Sequence, residues 1–158
     1  MRKRIMTGAV EEMRDKGIRF TMSDLALRLG VSKRSIYEYF ESKEVLVYSI
    51  VETLLEDVQK QRLEIMADDS ISYQEKLRKI LTVQPVLFPI MEGHTIVEIK
   101  RFLHVQSRQI EKLEQIMSRS WVLVEKFLQQ GIETGQIRPI YIPIIEKMLA
   151  GIRTVADS

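Results

Sequence analysis

The chain has 158 residues, with 24 Lys and Arg against 22 Asp and Glu, 45% hydrophobic residues and no cysteine. This composition is that of an ordinary globular protein, and it excludes disulfide bonds, a thiol nucleophile and zinc sites with sulfur ligands. The apolar runs are too short for a membrane span and the basic N-terminus lacks the apolar stretch of a signal peptide, so we expect a cytoplasmic protein.

Apolar residues at helical spacing predict a first helix that ends at Gly17. Thr21, with Asp24 three residues later, forms a capping-box pattern that starts a short second helix, and Gly30 ends it. Ser32 is a suitable cap for a third helix, whose outer face is polar, basic and aromatic.

A long fourth helix is predicted from Ser42 to about Met66, followed by a fifth helix from about Tyr73. Pro85 and Pro89 disturb the backbone after the fifth helix. Further helices are expected over about 95–104, over a long segment that ends at Gly135, and from near Pro143 onward. The apolar positions of the long segment are Ile110, Leu113, Met117, Trp121, Val124, Leu128 and Ile132.

These elements predict an all-α fold with an N-terminal three-helix helix-turn-helix domain over residues 1–45 and a helical domain over residues 46–158. The first part holds ten Lys and Arg against seven Asp and Glu, a balance of +3, and the second holds fourteen against fifteen, a balance of −1. The basic excess at the front is weak evidence for an anionic partner.

The two short helices that meet at Leu29–Ser32 predict a helix-turn-helix, which offers the third helix to a DNA major groove. Its first turn carries the base-reading candidates, and the serines and tyrosines around it are donors for phosphates. The predicted DNA contacts from this pattern are Ser32, Lys33, Arg34, Ser35, Tyr37, Tyr39 and Lys43.

Two other interpretations remain open from the pattern alone. The first is a helical interaction or dimerisation module that does not bind DNA. The second is an enzyme, but the sequence lacks paired Glu-x-x-His motifs, a phosphate-binding Gly-rich loop and a Gly-x-Ser-x-Gly motif. We therefore expect no catalytic residue, no metal site and no cofactor.

Three runs, in order and at the right spacing, closely resemble the DNA-binding signature of the TetR family of bacterial transcriptional regulators. They are Thr21–Ala26, Leu29–Phe40 and Ser42–Leu46. The turn at Gly131–Pro139 is similar to one that often closes the family's penultimate regulatory helix. The resemblance implies that Lys33, Arg34 and Ser35 face bases or nearby phosphates, and it adds Thr21 and Ser23 as phosphate contacts. Tyr37, Tyr39 and Lys43 would hold the DNA backbone.

The resemblance also implies a homodimer on a palindromic operator of double-stranded DNA, and a repressor that a small-molecule effector of unknown class releases. The family usually ends in two long helices that form the dimer, and we expect this pair to be incomplete here. Candidate ligand-binding residues are apolar and aromatic positions that are otherwise simply core: Phe88, Met91, His94, Phe102 and Trp121.

Overall fold

The computed structural model describes residues 1–83, 98–99, 101–103, 107–140 and 142–145, and this part of the chain contains no strand. The helices are α1 (Arg2–Lys16), α2 (Met22–Leu29), α3 (Lys33–Tyr37), α4 (Lys43–Ala67), α5 (Tyr73–Thr82) and α6 (Ser107–Glu133), with a 3-10 turn at Gly17–Arg19. Residues 98–99, 101–103 and 142–145 are also helical. The all-α fold is confirmed. Among the described helices, none is long and apolar enough to cross a membrane.

The ends of α2 follow directly from the local sequence. Thr21 Oγ1 accepts a hydrogen bond from the Asp24 N–H at 3.1 Å, and the Asp24 carboxylate accepts one from the Thr21 N–H at 2.7 Å. Both halves of the predicted capping box are therefore formed. Gly30 ends the helix in the left-handed region, with a φ of 64°, which a residue without a Cβ adopts at little cost.

Serine caps also begin α4 and α5. Ser42 Oγ accepts from the Val45 N–H, and Ser72 Oγ accepts from the Glu75 N–H, each at 3.2 Å. Because α4 has 25 residues, it extends for roughly 37 Å and joins the N-terminal helices to α5 and α6.

A first hydrophobic cluster, here called the head cluster, joins α1, α2, α3 and the N-terminal half of α4. Among its most deeply buried members are Ile5, Phe20, Leu25, Ile36, Phe40, Leu46 and Val47. Gly8 brings α1 and α2 together, since a Cβ at this position would lie 2.8 Å from Leu29 Cδ2. Ile99, Leu103 and Leu113 extend the head cluster beyond residue 45, so the two predicted domains share a core. The boundary at residue 45 stays a prediction.

A second hydrophobic cluster, the body cluster, lies where α5 and the C-terminal half of α6 meet. Its buried members are Ile80, Val124, Phe127, Leu128 and Ile142. Between the two clusters, Arg62 of α4 donates to Ser120 Oγ of α6 at 2.7 Å and to the Ile80 carbonyl at 3.3 Å. Polar contacts therefore tie the three helices together at this level.

Met117, one of the apolar positions of the long segment, does not lie on the buried face of α6. Its side chain is 42% exposed, whereas the neighbouring Ile116 is only 6% exposed. Apolar residues stand at both positions, and the helix turns only one of them inward. Ser120, one turn beyond Ile116, is buried and accepts a hydrogen bond from Arg62, so this face of α6 also holds a polar residue. The predicted disturbance at Pro85 and Pro89 lies outside the described residues.

Candidate nucleic-acid interface

The turn between α2 and α3 is short and held by backbone hydrogen bonds. The Gly30 N–H donates to the Leu27 carbonyl at 3.2 Å, and the Val31 N–H donates to the Ala26 carbonyl at 3.1 Å. Ser32 then begins α3 at once, because its Oγ accepts from the Ser35 N–H at 3.1 Å. The chain therefore reverses from one short helix into another within three residues, which is the geometry of a helix-turn-helix.

One face of α3 is buried and the other is exposed. Ile36 lies fully inside the head cluster, whereas Lys33 and Arg34 are exposed and Tyr37 is 44% exposed. Ser35 is half-buried, and its hydroxyl lies 2.9 Å from that of Ser32. The structure thus brings the candidates Ser32, Lys33, Arg34, Ser35 and Tyr37 together on and beside the exposed side of one five-residue helix.

Glu38, an acidic residue directly after α3, lies beside Arg34. Arg34 Nε is 3.7 Å from Glu38 Oε1, with the two side chains 91% and 62% exposed. An exposed pair at this distance is weak in water, so the guanidinium remains available to another acceptor.

The start of α2 presents a second group of polar atoms. Ser23 is exposed, and the Met22 and Ser23 N–H groups are the first of the helix, which have no partner within it. The Thr21 hydroxyl, by contrast, donates to Asp24 Oδ2 at 2.7 Å. Lys16 Nζ, 2.8 Å from Asp24 Oδ1, together with Thr21 holds the pKa of the Asp24 carboxyl well below its usual range. A phosphate at this end of α2 would therefore meet a paired carboxylate.

The last two DNA-contact candidates differ in their placement. Tyr39 is 44% exposed just beyond α3. Lys43 is half-buried: its ammonium group donates to the Ile18 carbonyl, lies 4.6 Å from the centre of the Phe20 ring and lies 5.0 Å from that of Phe102. Burial lowers the pKa of Lys43, against the opposite effect of nearby carboxylates. The sequence prediction that Lys43 contacts a phosphate stays untested, and these contacts within the protein argue against it.

Acidic residues of α1 are neutralised by the helix they pack on. Arg28 of α2 lies 2.5 Å from both Glu12 Oε1 and Asp15 Oδ2 and 3.4 Å from Glu11 Oε2. The Glu12 side chain is only 4% exposed, so the ion pair with Arg28 compensates an almost buried charge. These carboxylates therefore hold α1 on α2 and weigh little against the basic residues of α3.

The structure divides the described ligand candidates between the two clusters. Phe102 packs against the head cluster, and Trp121 packs against the body cluster. Phe88, Met91 and His94 lie outside the described residues. The five candidates stay a prediction.

Sequence reasoning missed two arginines of the first turn of α1. The Arg2 side chain donates to the Tyr39 carbonyl at 3.1 Å, and that of Arg4 donates to the Leu29 carbonyl at 2.7 Å. Their partners are 37 and 25 residues away, so neither spacing nor helical periodicity carries a signal for them.

The helix-turn-helix has a basic, exposed second helix, α3, and it is joined to the further helices α4, α5 and α6. This arrangement is typical of a helical DNA-binding protein. Residues 5–50 match the model of the family described as bacterial regulatory proteins, tetR family. The match spans α1, α2, α3 and the beginning of α4. Residues 5–50 therefore carry a DNA-binding domain similar to that of TetR-family transcriptional regulators.

Relatives extend the similarity beyond residues 5–50. The chain is 28% identical over 151 residues to the uncharacterized HTH-type transcriptional regulator YvaF of Bacillus subtilis (strain 168), covering 96% of this chain and 78% of YvaF.

Two solved structures share the fold. The TetR-family regulator PfmR from Thermus thermophilus matches with a TM-score of 0.76 and 21% identity, covering 97% of this chain and 92% of PfmR. The regulator FadR from Bacillus subtilis, solved in complex with stearoyl-CoA, matches with a TM-score of 0.69 and 22% identity over 99% of this chain and 86% of FadR.

Proposed function

We propose that this protein is a repressor that binds a palindromic operator as a homodimer and is released from it by a small-molecule effector. The observation that supports the proposal most strongly is the exposed basic tip of α3, which lies in the segment that the tetR family model matches. The match of residues 5–50 to the family model supports DNA binding and regulation. The operator symmetry, the dimer, the direction of regulation and the effector are proposed.

In this proposal Arg34 and Ser35 read bases, and Lys33 contacts a base or a nearby phosphate. Arg34 is suited to guanine, because a guanidinium donates two parallel hydrogen bonds to the O6 and N7 acceptors. Its neighbour Glu38, 3.7 Å away, favours one approach of the guanidinium over others. Loss of a good base contact changes discrimination by about 1–3 kcal/mol.

The hydroxyls and amides around α3 then position the head on the DNA backbone. Ser23, Ser32, Tyr37 and Tyr39 are at least partly exposed and carry donors that are suited to phosphate oxygens. Thr21 contributes through the α2 N-terminus that it caps, since its own hydroxyl already donates to Asp24.

A homodimer is proposed because α3, here called the reading helix, is short and contacts too few base pairs to select a site by itself. Two heads related by two-fold symmetry read two half-sites, centred about one helical turn or a multiple of it apart. A change in the separation of the two heads would then weaken both contacts at once.

Polar contacts between α4 and α6 support control from the body. Lys112 Nζ of α6 lies 2.6 Å from Glu52 Oε1 of α4, and Arg62 of α4 donates to Ser120 of α6 at 2.7 Å. Because α4 begins directly after the reading helix, an effector that moves α4 relative to α6 would displace the head. FadR was solved with stearoyl-CoA, so a long-chain acyl-CoA is the first effector to test.

The test is selection of bound duplexes from a random DNA pool at near-physiological salt. The proposal expects an enriched palindrome whose half-sites lie about one helical turn apart or a multiple of it. The selected operator is then titrated with stearoyl-CoA and with coenzyme A alone as the matched control. Enrichment of a single, asymmetric half-site would contradict the dimeric repressor, and unchanged binding with stearoyl-CoA would exclude this effector.

A further inference from the structure

The first turn of α1 contacts the C-terminal end of each helix of the helix-turn-helix. Arg4 Nη2 donates to the Leu29 carbonyl, the last residue of α2, at 2.7 Å. Arg2 Nη1 donates to the Tyr39 carbonyl, two residues beyond α3, at 3.1 Å. The last carbonyls of a helix receive no hydrogen bond from within the helix, so each needs a donor from elsewhere.

The turn after α2 leaves the Leu29 carbonyl to Arg4. The Gly30 and Val31 N–H groups donate to the Ala26 and Leu27 carbonyls, one turn further back. A guanidinium is a charged donor, and hydrogen bonds of this kind are stronger than those between neutral groups. Arg4 therefore fixes the distance from the start of α1 to the end of α2.

Arg2 is held by three separate contacts. Besides the Tyr39 carbonyl, it donates to Ser49 Oγ of α4 at 3.2 Å, and its guanidinium lies 4.3 Å from the centre of the Phe40 ring. Ser49 and Phe40 are both buried. Arg2 thus connects the end of the reading helix to α1 and to α4 through partners that do not move easily.

The reading helix needs such support. With only five residues, α3 is too short to be stable by its own backbone hydrogen bonds, so its placement depends on what holds its ends. Ser32 holds the start, Ile36 anchors the middle, and Arg2 binds the backbone just after the end.

We propose that Arg2 and Arg4 are positioning residues: each holds one helix of the helix-turn-helix in the arrangement that reads bases, and neither contacts the operator phosphates. This inference depends on the proposed operator-reading function. In this role the two arginines act through their hydrogen bonds within the protein, whereas their positive charge alone would suggest contacts with phosphates.

The experiment compares Arg2→Gln and Arg4→Gln with Lys3→Gln. Lys3 is exposed in the same turn of α1, so all three variants lose one positive charge from one place, and glutamine keeps a similar helix propensity. Affinities are measured for the selected operator and for a scrambled duplex at several salt concentrations, together with the melting temperature.

If Arg2 and Arg4 are positioning residues, replacing either one should lower the ratio of the affinity for the operator to the affinity for the scrambled duplex. The decrease should be roughly tenfold if the change in geometry costs one base contact. Lys3→Gln should leave the ratio unchanged, and the salt slope should match among the three variants. A role in stability alone reduces the folded fraction, which weakens both affinities equally and leaves the ratio as it was.

An unchanged ratio with an unchanged salt slope, the mark of a role in stability alone, would overturn the inference, and so would two further results. One is a salt slope smaller by about 0.9 for Arg2→Gln or Arg4→Gln than for Lys3→Gln with an unchanged ratio, which is the mark of a lost phosphate contact. The other is full recovery of the ratio in Arg2→Lys, which keeps the charge but has one nitrogen where the guanidinium reaches Tyr39 and Ser49 through two. If the unmodified protein shows no preference for any duplex, the proposed function fails instead.

Discussion

The junction of α5 and α6 at Gly131 gives a sharp test of the packing. A Cβ built on Gly131 would lie 2.0 Å from the Tyr73 hydroxyl oxygen and 2.3 Å from Cζ of the same ring. Tyr73 cannot simply swing away, because its hydroxyl donates to the Phe127 carbonyl at 2.9 Å and its ring stacks on Phe127 with centroids 4.6 Å apart. We therefore expect Gly131→Ala to displace Tyr73 from Phe127.

The magnitude follows from three contributions. Losing the hydrogen bond costs about 1 kcal/mol, and losing the stacked pair costs about 1 kcal/mol more. Alanine in place of glycine inside a helix stabilises by about 1 kcal/mol. Gly131→Ala should therefore lower the free energy of unfolding by about 1 kcal/mol, against the sign that helix propensity alone gives.

Urea unfolding followed by circular dichroism measures this difference, and a double-variant cycle isolates its cause. In a Tyr73→Ala background the steric conflict is gone, so Gly131→Ala should stabilise the protein there by about 1 kcal/mol. The same stabilisation in both backgrounds would refute the packing of Tyr73 against Gly131.

Three further outcomes concern the head. Arg28→Leu should lower the melting temperature by leaving the nearly buried Glu12 with less compensation, and adding Glu12→Leu should recover most of the loss; no recovery would show that the pair is not the cause. The pKa of the Asp24 carboxyl is lowered in the folded state, so the stabilisation it gives is present above about pH 4 and is lost as the pH falls toward the folded pKa. The melting temperatures of Asp24→Asn and of the unmodified protein should therefore differ at pH 7 and converge in acid. Lys43→Met should leave the salt slope of operator binding unchanged, since the ammonium faces Phe20 and a backbone carbonyl; a slope smaller by about 0.9 would place it on a phosphate.

The helix ends of the head were predictable because their causes are local. Thr21, Asp24 and Gly30 lie within ten residues of one another, and each acts on its own backbone or on a near neighbour. The same holds for the Ser32 and Ser42 caps. Capping and left-handed turns depend on residue type at a fixed offset, which sequence displays directly.

What sequence did not reveal depends on contacts between distant segments. The exposure of Met117 rather than Ile116 was settled by the partner that α6 packs on. Two contacts depend on how α1 lies against the turn and α3: the cation–π contact of Lys43 with Phe20, and the hydrogen bond from Arg2 to the Tyr39 carbonyl. Hydrophobic periodicity gives a face to within about one residue, and it gives no partner for a long cationic side chain.

In the proposed function the exposed tip of α3 reads the operator sequence. The most direct test is to repeat the selection from a random duplex pool with Arg34→Ala and to compare the enriched motif with that of the unmodified protein. We expect a motif of the same length and symmetry in which one base pair of each half-site loses its preference, by about 1–3 kcal/mol. An identical motif, with binding merely weaker on every sequence, would contradict it.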